Sequence, residues 1–549
     1  EADRLELSLD LFERLAGEKS LAGWNGLGLA VQAYQKRAFS VLALLEDIAR
    51  CTSRRIPVRL VKGAYWDSEI KRAQIAGLSG YPVFTRKLAT DTNYLACARF
   101  MLARRSIFYP QFATHNAHTV AAILAFSGGN LDFEFQRLHG MGAPLYDHLL
   151  AEFQAHAPVR IYAPVGGHED LLAYLVRRLL ENGANTSFVN RLADDAAPIS
   201  EIITDPVETL ARIEAKPHPR IPLPTDLYMP ERKNSFGLLL SEPAQSAPLL
   251  AAIRETLSKN FESTPIVADR KASGAKRDVR DPTDRRRVTG MVMDASAEDI
   301  DAAFTAAQSA QRSWNESGAD MRGQKLQAAA DLYETNRALL MGLIVREGGR
   351  TLANAQSELR EAVDFLRYYA ARAREQFVPQ ELAGPTGERN ILKLEGRGTF
   401  AAISPWNFPL AIFTGQIAAG LAAGNAVIAK PAEQTPLIAA AAVRLLHQAG
   451  VPPEVLSLLP GDGNVGAQII SDPRLSGVAF TGSSETADII RRTLAHKKGP
   501  IIPFIAETGG INAMVVDSTA LPEQAVADCI ASAFDSAGQR CSAARLLLV

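Results

Sequence analysis

Short apolar runs alternate with longer segments of helical periodicity in the first third of the chain. Five of these runs have the length and composition of strands, at 28–32, 57–62, 111–115, 133–136 and 159–162. A repeated strand-then-helix order is typical of parallel strands joined by crossover helices. The pattern predicts an α/β fold, the C-terminal part of a (β/α)8-type barrel that lacks its first strands, with an open doubly wound sheet as the alternative.

The C-terminal half begins with long helical patterns and continues with short strands. Apolar residues recur at three-four spacing over 297–314 and 322–377, which predicts helices with one core-facing side. Apolar runs then alternate with helices at 400–403, 426–429, 455–459 and 478–480. This order predicts a doubly wound parallel sheet, the architecture of dinucleotide-binding domains.

A connector separates the two halves. Between Lys216 and Pro230 there are five prolines, which oppose regular structure, and 236–240 is predicted as a short strand before a helix. A basic run at 269–287 has interleaved acids and no aromatic residue, so we interpret it as solvated surface. We therefore predict a barrel at 1–190, a Pro-rich connector with a linking helix at 191–265, and a nucleotide-binding domain at 266–549 that runs into the start of a catalytic domain.

Composition narrows the class of protein. The chain has 549 residues, 47% hydrophobic and 22% charged, with a net charge of −1, which supports neither DNA binding nor attraction to an anionic membrane. Its four cysteines form no CxxC pair, so a disulfide framework or zinc ribbon is disfavoured and no metal site is predicted. These features favour a cytoplasmic protein. The chain opens on Glu1 and closes in an apolar run, so we expect it to be a segment of a longer protein.

Polar residues cluster where the N-terminal strands end, which is where barrels build their active sites. They are Gln32, Arg59, Lys62, Thr114, His115 and Tyr162. A predicted helix at 170–182 places Tyr174 beside Arg177 and Arg178, and two guanidinium groups form a suitable carboxylate clamp. The alternative for this helix is a solvated basic face.

Three segments here resemble the proline dehydrogenase domain of the bifunctional proline utilization A family: 59–66 (RLVKGAYW), 112–116 (FATHN) and 174–183 (YLVRRLLENG). The resemblance implies a distorted barrel that holds FAD. It implies flavin contacts from Gln32, Arg59, Val61, Lys62, Gly63, Ala64, Trp66, Thr85, Lys87, Thr114 and His115. It also implies that Arg177 and Arg178 hold the carboxylate of L-proline, in a pocket shaped by Tyr65, Leu138, Tyr162 and Tyr174.

A thiol and a carboxylate mark the end of the chain. Cys541 lies in a loop of small residues, and Glu507 precedes two glycines. A thiol can capture a carbonyl covalently, and a carboxylate can take a proton from the water that later releases the acyl group. A buried structural cysteine is the commoner role for such a residue alone, but the pair favours catalysis.

Other motifs in this half suit a nucleotide. The segment 461–466 (GDGNVG) fits G-x-G-x-x-G after a strand, although its late position in the sheet leaves the site of the pyrophosphate open. The turn at 480–486 starts a helix, whose free N–H groups favour phosphate, and an ordinary N-cap serine is the alternative. Asn407, after another strand, could donate to an oxyanion.

Five ordered motifs resemble the aldehyde dehydrogenase superfamily: 404–409 (SPWNFP), 430–436 (KPAEQTP), 480–483 (FTGS), 507–510 (ETGG) and 538–541 (GQRC). The resemblance implies that Cys541 is the nucleophile, Glu507 the general base and Asn407 the oxyanion donor. It implies an NAD site built from Ser404, Lys430, Glu433, Gly463, Gly466, Thr481, Gly482, Ser483 and Thr486. A carboxylate at the adenosine ribose, here Glu433, favours NAD over NADP.

Joined, the two resemblances imply oxidation of L-proline to glutamate in two steps, the first with FAD and the second with NAD through glutamate semialdehyde. The expected partners are these small molecules, a second copy of the chain in a homo-oligomer, and membrane quinone reached by peripheral contact with the inner membrane. One alternative is an NAD-dependent aldehyde dehydrogenase with a non-catalytic docking barrel. Another is a thiol hydrolase built on Cys541, disfavoured because no histidine partner is evident.

Overall fold

The computed structural model describes residues 2–152, 158–167, 171, 172, 176 and 204–549. The chain divides into two compact units, Glu1–Leu227 and Tyr228–Val549.

The first unit has one five-stranded sheet and seven helices within its described part. The strands are β1 (Leu29–Gln32), β2 (Ile56–Val61), β3 (Phe108–Ala113), β4 (Glu134–Leu138) and β5 (Val159–Tyr162). The helices are α1 (Leu5–Gly17), α2 (Ala38–Thr52), α3 (Trp66–Ala76), α4 (Lys87–Leu102), α5 (Ala117–Ser127), α6 (Ala143–Glu152) and α7 (Pro206–Arg212).

All strands of this sheet are parallel and follow the chain order β1-β2-β3-β4-β5. Residues alternate between buried and half-buried along β2 and β3, so each strand buries one face against the helices. Phe112, Phe133 and Phe135 meet there edge-on or tilted, with ring centroids 5.4–6.3 Å apart. Sequential order is that of a barrel segment, whereas a doubly wound sheet reverses direction, so the predicted barrel is confirmed.

The second unit contains ten helices and twelve strands. The helices are α8 (Pro243–Leu257), α9 (Ala297–Glu316), α10 (Ala319–Thr335), α11 (Arg337–Gly348), α12 (Leu352–Gln376), α13 (Ala411–Ala422), α14 (Pro436–Gln448), α15 (Gly463–Ser471), α16 (Ser484–His496) and α17 (Pro522–Phe534). The strands are β6 (Phe261–Ser263), β7 (Lys276–Arg280), β8 (Val288–Met293), β9 (Gln380–Leu382), β10 (Asn390–Leu392), β11 (Thr399–Ile403), β12 (Ala426–Lys430), β13 (Leu456–Leu458), β14 (Leu475–Gly482), β15 (Phe504–Thr508), β16 (Asn512–Val515) and β17 (Ala544–Leu548).

The main sheet of this unit has the parallel order β13-β12-β11-β14-β15. The order reverses direction between β11 and β14, so the predicted doubly wound sheet is confirmed. Strand β12 is buried along its whole length because helices cover both faces of the sheet. The carboxyl ends of the strands therefore form one edge, with the switch of direction at its centre.

The strand predicted at 236–240 is wrong. Side chains rather than a neighbouring strand accept from its backbone N–H groups. The N–H groups of Phe236 and Leu238 donate to Glu334 Oε1 (2.7 Å) and Gln356 Oε1 (3.0 Å). Helices α10 and α12 supply these acceptors, and local apolar composition does not reveal such distant partners.

Candidate active sites

The predicted nucleophile lies on a loop with an unusual backbone. Cys541 is exposed and follows a short turn at Asp535–Gly538. Within this turn Ser536, Ala537 and Gly538 have φ angles of 56°, 54° and 67°. Left-handed backbone is unfavourable for residues with a Cβ and persists only where the surroundings hold it.

Side chains from four places hold this loop. Their contacts are Asn354 Nδ2 to Asp535 Oδ1 (3.1 Å), Arg545 Nη2 to the Gly538 carbonyl (2.9 Å), Asn407 Nδ2 to the Gln539 carbonyl (2.9 Å) and Asn512 Nδ2 to the Cys541 carbonyl (2.6 Å). The structure thus brings Asn407, the predicted oxyanion donor, to the thiol loop. An amide has two N–H groups, and only one is needed for the bond to Gln539.

The loop that carries Asn407 is held from behind by an ion pair that the sequence analysis missed. Arg350 donates to the Asn407 carbonyl, and its guanidinium carbon lies 4.5 Å from the centre of the Phe408 ring. Arg350 Nε lies 3.4 Å from Glu358 Oε2, and Glu358 Oε1 accepts from the Leu410 N–H (2.8 Å). Burial raises the pKa of Glu358 to about 7, against the attraction of Arg350.

The predicted base lies apart from these contacts. Glu507 is on β15, in register with Thr481 on β14, and its side chain is exposed. The Thr481 hydroxyl accepts from Gln416 Nε2 at 3.0 Å. Among the described residues, no side-chain hydrogen bond joins Glu507 to the thiol loop. Its role therefore stays a prediction.

Lys430 ends β12 at the carboxyl edge of the sheet and is buried. Burial lowers the pKa of its ammonium group, and the carboxylates of Glu433, Asp462 and Asp294 oppose this shift. A Cβ added at Gly466 would lie 3.5 Å from Lys430 Cδ, so the glycine-rich turn packs directly on the lysine side chain. Lysine and carboxylates converging beside a helix start suit the ribose of a nucleotide.

The neighbouring turn carries the remaining residues predicted for NAD. Ser483 caps α16 by accepting from the Thr486 N–H at 3.2 Å, so it has the N-cap role. Gly482 ends β14, Ser404 follows β11 and is buried, and Gly463 begins α15. These residues therefore share the carboxyl edge with Lys430. A buried lysine, exposed capping groups and helix starts at this edge fit a dinucleotide.

In the first unit, the residues predicted for flavin and for substrate also gather at strand ends. Gln32, Val61, Leu138 and Tyr162 end β1, β2, β4 and β5, and Lys62, Thr114 and His115 follow β2 and β3. His115 Nε2 accepts from the Leu138 N–H at 3.2 Å, and burial lowers the pKa of this imidazole. We infer that the proton of neutral His115 resides on Nδ1.

Two lysines share one carboxylate beside this edge. Lys62 Nζ lies 2.5 Å from Asp91 Oδ1, and Lys87 Nζ lies 2.8 Å from Asp91 Oδ2. Burial lowers the pKa of Lys62, partly offset by Asp91. Two positive charges with one negative charge leave a net positive site, which fits a phosphate-bearing cofactor. The sequence analysis missed Asp91, although its spacing of four from Lys87 was visible.

Arg59 reaches across β3 to a second network. Its Nε donates to Gln136 Oε1 (2.8 Å), and its guanidinium carbon lies 4.7 Å from the centre of the Tyr162 ring. Gln136 in turn donates to Glu134 Oε1 at 2.7 Å. A predicted flavin residue and a predicted substrate residue are thus in contact, supported by a buried glutamate that sequence patterns did not reveal.

The remaining predicted residues have varied environments. Gly63 has φ 133°, and a Cβ there would lie 2.4 Å from the Tyr34 ring, so only glycine fits. Trp66 Nε1 donates to the Phe84 carbonyl (2.8 Å), and Thr85 Oγ1 accepts from the His218 N–H (2.9 Å). Ala64 and Tyr65 are half-buried before α3. Tyr174, Arg177 and Arg178 lie outside the described residues.

Two further features are absent from the described part of the chain. It contains no helix both long and apolar enough to cross a bilayer. Within it, no group of three or more His, Cys, Asp or Glu side chains is arranged to bind a metal.

The fold and these sites define a class: a barrel-type unit followed by a doubly wound unit of the dinucleotide-binding type with a thiol loop. The proline dehydrogenase family model matches residues 1–191, and the aldehyde dehydrogenase family model matches residues 269–549, more than half of the chain. The chain therefore belongs to the aldehyde dehydrogenase family and carries a proline dehydrogenase region ahead of it. These families generally use NAD and FAD, respectively.

Individual relatives agree with this assignment. The bifunctional protein PutA of Klebsiella aerogenes is 53% identical over 100% of this chain and 42% of its own length. A crystal structure of a Bradyrhizobium japonicum proline utilization A mutant superimposes with a TM-score of 0.90 at 52% identity, over 100% of this chain and 53% of that one. The 1-pyrroline-5-carboxylate dehydrogenase 2 of Bacillus subtilis is 35% identical over 54% of this chain and 58% of its own length.

The resemblance to the proline utilization A family is thus confirmed. The chain spans about half the length of the PutA relatives it matches.

Proposed function

We propose that the second unit takes part in the NAD-dependent oxidation of glutamate semialdehyde to glutamate. The observation that carries this proposal is the hydrogen bond from Asn407 to the Gln539 carbonyl, two residues before Cys541. It links an amide donor and a thiol at the edge where a doubly wound sheet binds ligands. The 35% identity to a protein named 1-pyrroline-5-carboxylate dehydrogenase supports the choice of substrate.

In the proposed reaction, the Cys541 thiolate attacks the aldehyde carbon and forms a C–S bond. The carbonyl oxygen becomes an oxyanion, to which the second N–H of Asn407 donates, and such a donor typically contributes about 3 kcal/mol to the transition state. Lys430, Glu433 and the turns at 463–466 and 481–486 would hold NAD, which when bound would supply the hydride acceptor. As the hydride leaves this carbon, the C=O bond re-forms and a thioester remains on Cys541. Glu507 then takes a proton from a water whose oxygen attacks the thioester, the C–S bond breaks, and glutamate leaves.

Replacing the thiol tests this proposal in the complete natural protein. The Cys541→Ala variant should lose NADH formation from the semialdehyde by at least about a thousandfold, because the covalent step has no substitute. Cys529→Ala is the matched control, since Cys529 is another free thiol in the same unit. Retained NADH formation in Cys541→Ala would refute the proposal. Turnover of an acyl substrate without NAD would support a thiol hydrolase instead.

We also propose that the first unit binds FAD and takes part in the oxidation of L-proline. The net positive group of Lys62, Lys87 and Asp91 supports a site for the cofactor phosphates, and Arg59 is fixed beside Tyr162. FAD, when bound, supplies the acceptor for the hydride of proline. The chain's own part is to hold the cofactor and align the substrate, whose carboxylate we assign to Arg177 and Arg178.

The absorbance spectrum of the complete protein tests this second proposal. A bound flavin gives visible bands, and proline should bleach them. Lys62→Met should weaken FAD binding by at least about tenfold, a difference of about 1.4 kcal/mol, because burial makes that charge hard to replace. A protein that retains no flavin absorbance after incubation with FAD and removal of the unbound cofactor would favour the docking-barrel alternative.

The setting of this activity is a further proposal. The four cysteines are all free, which supports a reducing, cytoplasmic compartment. We propose peripheral contact with the inner membrane, where quinone would reoxidise the flavin, and assembly as a homo-oligomer. Sedimentation with lipid vesicles in the presence of proline, and light scattering, test these points separately.

A further inference from the structure

We propose that the N-terminal end of α12, with Arg350 just before it, positions both reacting loops of the second unit, and that Asn354 anchors the thiol loop at Asp535. Asn354 does not meet the substrate in this role; it acts through Asp535. The inference rests on the proposed function for the roles of Cys541 and Asn407. The contacts themselves are properties of the fold.

The orientation of the Asn354 amide is defined by its neighbours. The side chain is buried, and its Oδ1 accepts from the Thr351 hydroxyl at 2.8 Å. Thr351 also caps the helix by accepting from the Asn354 N–H at 3.2 Å. Because the Asp535 carboxylate can only accept, Nδ2 is the end that faces its Oδ1, at 3.1 Å, and Oδ1 faces the Thr351 hydroxyl, which can donate.

Asp535 passes this constraint to the residue before the thiol. Its Oδ2 lies 2.5 Å from Arg540 Nη2, so one carboxylate joins the start of the left-handed turn to its end. The hydrogen bond from Asn354, followed by the attraction of Arg540, holds the pKa of Asp535 below its ordinary value despite partial burial. Ser536 and Ala537 keep positive φ angles between these two anchors. Unfavourable backbone of this kind needs outside support, and Asn354 supplies it from a helix.

Residues on either side of this first turn reach the other loop. Arg350, four residues before Asn354, donates to the Asn407 carbonyl, and Glu358, four residues after it, accepts from the Leu410 N–H at 2.8 Å. Asn354 and Glu358 lie on one side of the helix, and Arg350, which precedes the helix, lies 3.4 Å from Glu358. Two segments more than 120 positions apart in the chain, around 407 and 535, are therefore held by hydrogen bonds from the same helix end. Their relative position, which decides whether the oxyanion donor meets the thiol-bound substrate, depends on that element.

The test uses Asn354→Asp in the complete natural protein. This change keeps the volume and the bond from Thr351 but replaces the donor that faces Asp535 with a second carboxylate. Gln324→Ala is the matched control, since Gln324 makes the same type of amide-to-carboxylate bond (2.9 Å, to Asp320) on an exposed face of α10. Asn354→Ala separates loss of the donor from repulsion.

Two measurements are made on each variant. Hydrogen exchange of the amides at 535–541 should rise by at least about tenfold in Asn354→Asp, while β12 at 426–430 keeps its protection, because loss of one hydrogen bond to a charged group changes a local equilibrium by about that factor. For semialdehyde oxidation, kcat should fall by about tenfold, with KM for NAD within about twofold of the parent protein. For both measurements, Asn354→Ala should give values between those of the parent protein and those of Asn354→Asp.

Unchanged exchange at 535–541 in Asn354→Asp would overturn the inference, as would exchange that rises equally in β12. Faster exchange with an unchanged kcat would overturn the positioning role and leave only a structural one. If the parent protein did not oxidise the semialdehyde, the proposed function would fail. Selective exchange at 535–541 would still support Asn354 as the anchor of the thiol loop.

Discussion

The buried carboxylate of Glu134 offers the sharpest test of how the first unit builds its site. Its Oε1 accepts from Gln111 (2.9 Å), Gln136 (2.7 Å) and Arg160 Nε (2.8 Å). Its Oε2 accepts from Arg160 Nη2 (2.8 Å) and the Tyr109 hydroxyl (3.2 Å). In Glu134→Gln the amide oxygen must occupy the Oε1 position, where three donors converge, so the new NH₂ group faces Arg160.

The loss of stability follows from these contacts. The charge-assisted bond to Arg160 Nη2 disappears, and such bonds contribute about 1.5–3 kcal/mol, whereas the Tyr109 hydroxyl can accept from the new NH₂ group and keeps its bond. The Arg160 side chain is 62% exposed and recovers water, which reduces the loss. We therefore expect Glu134→Gln to lower the free energy of unfolding of the first unit by about 1–2 kcal/mol. Gln136 keeps its acceptor at the Oε1 position, so its orientation and the bond from Arg59 should persist.

Urea unfolding, followed by hydrogen exchange of peptides from β3 and β4, measures this loss in the first unit alone. Glu208→Gln is the control, because the Glu208–Arg212 pair at 3.6 Å is mostly exposed and should contribute under about 0.5 kcal/mol. Burial would raise the pKa of Glu134, but the hydrogen bonds from Arg160 and Gln136 lower it below its ordinary value. The stabilisation is thus present above the ordinary pKa of about 4.3 and is lost as the pH falls below it. Equal unfolding midpoints for the two variants at neutral pH would refute the reasoning.

Two further perturbations address the second unit. Glu347 is buried and accepts from the N–H groups of Leu437 and Ile438 at 2.7 and 2.9 Å, and burial raises its pKa to about 8. The folded state therefore binds more protons than the unfolded state above about pH 4.3, so the free energy of unfolding should fall as the pH rises towards 8. In urea titrations at several pH values, Glu347→Gln should reduce this dependence on pH. The same dependence in the variant and the parent protein would contradict the prediction. Gly466→Leu should weaken NAD binding by at least about tenfold, measured by calorimetry, because the larger side chain displaces Lys430. Gly466→Ala should bind NAD within about twofold of the parent protein, because its Cβ would lie 3.5 Å from Lys430 Cδ. Equal affinities of the two variants for NAD would exclude the packing role.

Much of the architecture was predictable from local patterns. Strands and helices can be recognised in the sequence because the period of apolar residues shows which face of each element is buried. The five strands of the first unit and the parallel strands of the second were expected within a few residues. Strand β15 was not separately predicted, since its residues around Glu507 are mostly exposed. The strand prediction at 236–240 was wrong because the hydrogen-bond partners of its backbone lie about 100 positions away in the chain.

The candidate sites divide in the same way. The sequence by itself determined the thiol in its loop, the amide after β11 and the glycine-rich turns, because each motif is local and its chemistry depends on residue type. Only the tertiary structure decided that Asn354, Arg350 and Glu358 hold two distant loops, and that Asp91 joins Lys62 to Lys87. Those residues carry no local pattern that sets them apart from ordinary helix surface. Their partners are chosen by packing between elements far apart in the chain, and no periodicity along the sequence encodes that choice.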